Sequence, residues 1–573
     1  MMNPSVKTLL GVLLLVAFSA CAGRPPSASE QGERADLVIL ATSDFHANIE
    51  RAEPFAETIR NLREIYPQSA LLFDGGDLFQ GSLEGNLSKG RAVVDLYNLI
   101  GFDAAAIGNH ELDYGPAVEG RIDVKKGEDG LGNLKKRVKE AKFAWLSANL
   151  IQKNAPSCKP GPRCNALGQR TVFAPRAYFH KNETKTCVIG ATTPSTEHIT
   201  VVDFVKNVRF KALYSVVLAE SKYLRTSQRC DFVVLVAHAG LLCNKEGRCR
   251  ERGDRAEILD LLEKLPQGTL DAVVAGHTHL KAQEVIHGTP VIEAGSYART
   301  VGVLKLWKKN RRHEFASWSE VPTKANEPAA VLDITNAMAR YRDNAEDLKR
   351  LPVGESEDRF EKVHTTELAL GNLVADALLE YARTIDGDVC CAFVNQGGLR
   401  ADLPEGKLNY GDVFRVLPFD NSLAIASLTG EELFELLRIG TSGGHGIFPV
   451  AGLSLTRTAA PPGMRGRWDR DLDSNGVSED WERDLLLDAT LTPEGRMIDP
   501  RKRYKIATIN FLTQGGDHLH TIFDRVKKHR VKTFEGVFLR DIVIEYLKKY
   551  SPIRKKNFLT PKRIKERPVS IDE

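Results

Sequence analysis

Little in this sequence points to a nucleic-acid partner or to a chain built into a bilayer. Lysine and arginine total 79 against 75 aspartates and glutamates, a net charge of +4. A nucleic-acid footprint is larger than this and clustered. The basic runs Lys527–Lys532 and Arg554–Arg567 read as solvated surface. No internal repeat is evident, and after the first 20 residues no apolar run is long enough to suggest a membrane span. None of the nine cysteines has the spacing of a zinc knuckle. With 42% hydrophobic and 27% charged residues the composition is ordinary for a globular protein. At roughly 100–200 residues per domain, 573 residues suggest two or three domains.

The one apolar run of note is at the start. Lys7 precedes Leu9–Phe18, which ends in Ser19-Ala20-Cys21. A basic start, a short apolar stretch and small residues before a cleavage point describe a secretory signal. About ten residues are too few for a helix to cross the ~30 Å hydrocarbon core. Cysteine directly after the small residues resembles a bacterial lipoprotein signal, with residues 1–20 removed and Cys21 lipidated. The alternative is a plain signal peptide with Cys21 incidental. Residues 21–35, rich in Pro, Ser, Gly and charge, suit a flexible tether. The expectation is an exported protein on the periplasmic or cell-envelope face, attached to a membrane by lipid. Eight cysteines remain besides Cys21, an even number that permits disulfides after export. Cys158/Cys164 and Cys243/Cys249 are close enough to close small loops. Adjacent Cys390 and Cys391 are not expected to bond each other, and connectivity stays open.

From Asp36 to about Val321, short apolar runs alternate with helical periodicity. Leu37–Leu40, Ala70–Phe73, Phe232–Val236, Ala272–Val274 and Val301–Leu306 read as strands. Pro54–Tyr66 and Ala256–Leu265 read as helices. The alternation predicts a layered α/β fold over residues 36–322. A charged helical connector fills residues 323–351. A second α/β region covers residues 352–573, with a core-facing helix through Leu370, Leu373, Val374, Ala377, Leu378 and Tyr381. Ala392–Val394, Leu423–Ser427 and Lys505–Thr508 are its strand candidates.

Ligand-type residues recur just after the predicted strands. They are Asp44-Phe45-His46, then Gly75-Gly76-Asp77, then Gly108-Asn109-His110-Glu111 with Asp113 close behind. Ala237-His238 and Gly276-His277-Thr278-His279 follow. Sites in open α/β sheets form at the carboxyl ends of strands, and Asp, Asn and His suit borderline and hard divalent ions. Any one of these pieces is weak, but their order is specific. It resembles the calcineurin-like metallophosphatases, over most of residues 36–300. The resemblance implies a four-layer β-sandwich flanked by helices. One metal would take Asp44, His46 and His279, the other Asn109, His238 and His277, with Asp77 bridging both. Zn²⁺, Mn²⁺ or Co²⁺ would serve. A metal-activated hydroxide would attack phosphorus, with His110 stabilising or protonating the leaving oxygen and Asp113 orienting its ring.

The second half carries three further motifs: Asn395-Gln396-Gly397-Gly398-Leu399-Arg400, Pro418-Phe419-Asp420-Asn421 and Asn510-Phe511-Leu512-Thr513-Gln514-Gly515-Gly516-Asp517. With Gly371-Asn372 and Thr429-Gly430-Glu431-Glu432 they resemble the C-terminal domain of the bacterial 5′-nucleotidase and UDP-sugar hydrolase family. The resemblance implies that Phe419 and Phe511 sandwich a base and Asn421 touches its edge. Asp517 would accept ribose hydroxyl protons, and Asn395 and Arg400 would meet phosphate or ribose. Base pocket and metals would then lie on different halves of the chain. Family members often have an arginine shortly before the Gly-Asn helix, and His364–Glu367 holds none. The implied activity is release of phosphate from nucleotides. Related families on this scaffold act on cyclic nucleotides, UDP-sugars, sugar phosphates or thiosulfate esters. A binding protein that kept the fold without activity would have lost ligands, and all seven are present. No nucleic acid and no obligate protein partner is implied.

One motif stands apart. Asp471, Asp473, Asn475 and Glu482, with Gly476 at the sixth position, fit a twelve-residue calcium loop inside the acidic insertion 469–484. A solvated acidic insertion is the equal alternative.

Overall fold

A computed structural model describes residues 35–568 except 119–123, 126, 182, 245–246, 252–255, 310–311, 325–330, 364–366, 444–445, 461–465 and 474–477. The leader with Cys21, the tether up to residue 34, and Asn475 lie outside the described residues.

The continuous apolar runs form the centres of two six-stranded sheets. In the first, the parallel strands Leu37–Thr42, Ala70–Asp74, Ala104–Ala106 and Ala144–Leu146 lie side by side. The antiparallel strands Thr300–Lys309 and Arg312–Pro322 extend it beyond Leu37–Thr42. In the second, Thr289–Ala294, Ala272–Val274, Phe232–His238 and Thr184–Thr192 are parallel, with Lys281–Ile286 and Arg176–Lys181 as antiparallel edges. Strands buried on both faces read as unbroken hydrophobic runs, and Leu37–Thr42 and Phe232–His238 are buried at every position. Ile39, Leu71 and Phe73 of one sheet share a core with Val234, Val236 and Ile292 of the other. Helices Leu213–Thr226 and Glu257–Lys264 cover the far side of the second sheet. Helices Ala52–Ile65 and Arg91–Ile100 flank the first, where Tyr97 reaches Asp74 at 3.0 Å. The result is four layers, as expected.

The connector is the helix Leu332–Lys349. Arg342 grips Glu53 with both terminal nitrogens at 2.7 Å, and Lys349 reaches Glu84 at 2.6 Å, so it is fastened to the first half of the chain. The second half is built on a five-stranded sheet in the order Val450–Ala451, Val389–Phe393, Arg503–Ile509, Ser422–Thr429, Val531–Phe538, with helix Ala369–Ile385 packed on it. Reciprocal capping boxes start two of its helices, Asn409 with Asp412 and Thr429 with Glu432.

Disulfides join Cys158–Cys164 and Cys243–Cys249, the two small loops anticipated. A third joins Cys187 to Cys230, linking strand Thr184–Thr192 to the loop that enters Phe232–His238. Cys390 and Cys391 are free. Among the described residues no helix is long and apolar enough to cross a membrane.

Candidate active site

Each of the five strand ends delivers its side chains to one place. Asp44, His46, Asp77, His277 and His279 all have positive φ, between 49° and 83°, a region non-glycine residues enter only when their surroundings hold them there. Backbone bonds supply that hold: Asp44 N–H donates to Gly76 O at 2.9 Å and His46 N–H to Asp77 O at 3.0 Å. Gly108 is needed for close approach, since a Cβ there would lie 2.2 Å from Asp77 Oδ1.

The donor atoms fall into two neighbouring groups. Asp44, His46 and His279 form one and Asp77, His238 and His277 the other, each with ligand atoms within 4.8 Å of one another. His46 Nε2 lies 2.9 Å from His279 Nε2. His238 Nε2 lies 3.1 Å from Asp77 Oδ2, 3.1 Å from Asn109 Oδ1 and 3.2 Å from His277 Nδ1. These residues fit a pair of divalent cations, for a reason internal to the rings. His46 Nδ1 donates to the Gln80 carbonyl at 3.1 Å and His238 Nδ1 to the Gly75 carbonyl at 3.0 Å. That leaves each Nε2 lone pair facing the other donors, the arrangement in which metal-binding histidines are oriented. Burial holds His46 and His279 well below the usual histidine range, so their rings are neutral.

His110 stands beside the donors on a different task. Its Nδ1 is 2.6 Å from Asp113 Oδ2, and its Nε2 is 3.9 Å from Asp77 Oδ2. Burial opposes charge on the ring, but Asp113 and Asp77 outweigh it and raise the histidine's pKa. His110, His46 and Asp77 also bring ligand atoms within 4.8 Å of one another; the bond to Asp113 is what distinguishes His110 from the other rings.

Beneath the donors lies a layer of carboxylates whose role sequence reasoning missed. Glu111, 1% exposed, accepts backbone N–H groups from Asp77 (2.9 Å), Leu78 (2.6 Å), Phe79 (3.0 Å) and Gly108 (2.6 Å), tying two ligand loops together. Glu293 accepts from Thr278 Oγ1 at 2.8 Å and Leu280 N–H at 3.0 Å, fixing the His277–His279 loop. Glu111 was visible within its motif, but nothing local marks what it binds.

A cavity of about 730 Å³ opens onto this cluster. Asp77, Asn109, His110, His277 and His279 line one wall; Asn395, Arg400, Phe419, Asn421, Phe511 and Asp517 line the other. The two halves thus face a common space. The Phe419 ring lies 5.6 Å from the His110 ring, and the Arg400 guanidinium 5.8 Å from the Phe419 ring. Asn395 Nδ2 donates to Asp517 Oδ2 at 2.7 Å, and burial pushes Asp517 up to about 6. Gly516 lies under Phe511, where a Cβ would meet the ring at 2.4 Å. The cavity also takes in Lys362, just before the arginine-free stretch. Burial, together with Arg400, lowers its amine to about 8. A lone lysine carries no local motif, and only its place in the fold marks it.

The acidic insertion behaves separately. Asp471, Asp473 and Glu482 come within 4.8 Å of one another, while Glu482 Oε1 accepts N–H bonds from Leu472 and Asp473. The adjoining Trp481 stacks on His518 of the cavity wall, centroids 4.2 Å apart.

Residues 37–281 match the calcineurin-like phosphoesterase family and residues 352–525 the 5′-nucleotidase C-terminal domain. Protein UshA of Escherichia coli (strain K12) is 24% identical over 95% of this chain and 96% of its own length. A 5′-nucleotidase of Vibrio parahaemolyticus is 24% identical over 96% of this chain and 95% of its own. In fold, the crystal structure of a 5′-nucleotidase precursor from Thermus thermophilus superposes with a TM-score of 0.73, at 22% identity, covering 92% of this chain and 99% of that one. The chain belongs to the family of metal-dependent phosphoester hydrolases in which a calcineurin-like phosphoesterase domain is followed by a 5′-nucleotidase C-terminal domain.

Proposed function

We propose that this protein releases phosphate from nucleotides, at a site with two divalent cations. The observation that carries this reading is the shared cavity: an aromatic and acidic wall stands opposite the His110–Asp113 pair, with Phe419 5.6 Å from His110. Asp44, His46 and His279 would hold one cation and Asn109, His238 and His277 the other, with Asp77 between them. Zn²⁺, Mn²⁺ and Co²⁺ all suit this donor set. Cations held there supply Lewis-acid charge to a phosphoryl oxygen and lower the pKa of an attacking water. Asp113 and Asp77 favour the charged ring, so with Nδ1–H held by Asp113 the Nε2–H of His110 stabilises or protonates the departing oxygen. Arg400 and Lys362 bring positive charge to the phosphate, the lysine standing in for the arginine that is absent from His364–Glu367. Phe419 and Phe511 stack the base between them, Asn421 meets its edge, and Asp517, held by Asn395, accepts a ribose hydroxyl. Export belongs to the same reading, supported by three disulfides, which persist in oxidising compartments; lipid attachment at Cys21 rests on the leader sequence alone.

The test is phosphate release by metal-replete protein from AMP, UMP, a UDP-sugar, 2′,3′-cyclic AMP and a sugar phosphate. Nucleotides should be turned over. His110→Ala should lower kcat roughly 10²–10⁴-fold. Phe419→Ala should raise the nucleotide KM by the ~1–3 kcal/mol that stacking contributes. Turnover of base-free esters only, untouched by Phe419→Ala, would overturn the nucleotide assignment and leave the metal chemistry standing.

A further inference from the structure

The three disulfides account for six cysteines, and the described thiols left over are adjacent residues, Cys390 and Cys391. Consecutive side chains of a strand point to opposite faces, which ordinarily keeps such sulfurs apart. Here the ladder between Val389–Phe393 and Arg503–Ile509 shifts register between Val389 and Cys391. A bulge of this kind re-aims a side chain, and the two Sγ atoms lie 3.1 Å apart. Cys391 is buried and Cys390 half-buried, so one thiol is open to a reagent and the other waits behind it. Arg383 donates to the carbonyls of Val389 at 2.9 Å and Cys390 at 3.0 Å, which sets a positive charge beside the pair.

We propose that Cys390 and Cys391 are a redox-modification site, a vicinal dithiol that closes to a disulfide by exchange with a disulfide-bearing oxidant and reopens with a thiol reductant. The Cys390 thiolate attacks one sulfur of the oxidant. The oxidant's S–S bond breaks, one of its sulfurs leaves as a thiolate and takes up a proton, and a mixed disulfide forms on Cys390. Cys391 then loses its proton and attacks the Cys390 sulfur, expelling the second half of the oxidant as a thiol. Two protein thiols are oxidised by two electrons, and one disulfide is reduced to two thiols. The division of labour follows from the surroundings. The hydrogen bond from Cys391 lowers the Cys390 thiol below the usual range, Arg383 adding to the effect, and raises Cys391 well above it. Adjacent Cα atoms are ~3.8 Å apart, shorter than the ~4.4–6.8 Å that disulfides favour. The closed form is therefore strained and readily reduced, as regulatory disulfides are. The site lies on the strand that runs on into Asn395 of the cavity wall.

The experiment exposes the full-length, disulfide-intact protein to oxidised glutathione, quenches with acid, and reads intact mass and the peptide containing both cysteines. The expected result is a mass lower by two hydrogens, located in that peptide, with no lasting adduct and with reversal by dithiothreitol. Cys391→Ser should instead keep one glutathione on Cys390, and Cys390→Ser should react at neither position. A wild-type protein that keeps both thiols, or that carries a stable adduct on Cys390, overturns the proposal. A probe that needs no variant is phenylarsine oxide, which binds two neighbouring sulfurs at once. One equivalent should protect both thiols from alkylation, and continued alkylation of either would count equally against the site.

Discussion

At the residue scale, the donor loops are tied together by a group that does not line the cavity. Glu111 accepts four backbone N–H groups from two loops. Glu111→Gln would turn an amide group toward N–H donors and strand some of them, at ~1–3 kcal/mol for each buried donor left unpaired. The expected outcome is a protein that folds but retains its cations roughly 10–100-fold less tightly, measured as metal content after dialysis against a graded chelator. Unchanged metal content would mean the loops are held by other bonds. Asp517 gives a pH-dependent counterpart. Burial raises it to about 6, with the Asn395 bond opposing. It is therefore neutral below that pH and an anion above it, and only the anion fully accepts a ribose hydroxyl. The KM for ribonucleotides should fall as pH rises through about 6. Asp517→Asn should bind roughly tenfold more weakly, a hydrogen bond to charge contributing ~1.5–3 kcal/mol, and should lose the inflection. Persistence of the inflection in the variant would assign it elsewhere. The candidate donor residues were legible because each lies at or just after a strand end and carries a short motif. The role of Glu111, whose bond to Asp77 spans 34 residues, and the place of Lys362, which meets the cavity only through the fold, were not.

At the scale of elements, legibility followed unbroken apolar sequence more than burial: Thr289–Ala294 is buried at every position, yet Pro290 and Glu293 interrupt its apolar run and it does not read as a strand. Leu37–Thr42, Ala70–Asp74, Phe232–His238 and Ala272–Val274 are sheathed on both faces and read directly as apolar runs. The edge strands Arg176–Lys181 and Lys281–Ile286 were not read. They carry charge and are only partly buried, Arg176–Lys181 exposed at Tyr178 and His180 and Lys281–Ile286 at Lys281 and Val285, as edges commonly are. The short loop Asn510–Asp517 shows how an element shapes recognition. Phe511 lies across Gly516, where a Cβ would come within 2.4 Å of the ring. Gly516→Ala should tilt the ring and raise the nucleotide KM about tenfold, on the order of the ~1–3 kcal/mol of one stacking interaction, with metal content unchanged. A KM equal to wild type would show that Phe511 does not stack the base.

At the scale of the whole molecule, the sequence predicted α/β layers in both halves of the chain, and the structure has them. What no single segment could reveal is that the walls of the two halves bound one cavity, since Phe419 and His110 are brought to 5.6 Å only by the packing of the halves. Seven donors converging without cations would crowd lone pairs and negative charge together. Chelation should therefore abolish turnover and lower Tm, with both returning on addition of excess Mn²⁺. Occupancy at 1,000 times Kd stabilises by ~4 kcal/mol, a shift visible by calorimetry. An unshifted Tm would mean that the cluster does not bind cations in the folded protein.

Five of the seven donor residues sit on backbone the chain would not adopt alone, and Asp44 and His277 are separated by 233 positions. No short stretch of nascent chain can hold this cluster. Any cation this cluster holds would therefore be captured only once the sheets have formed.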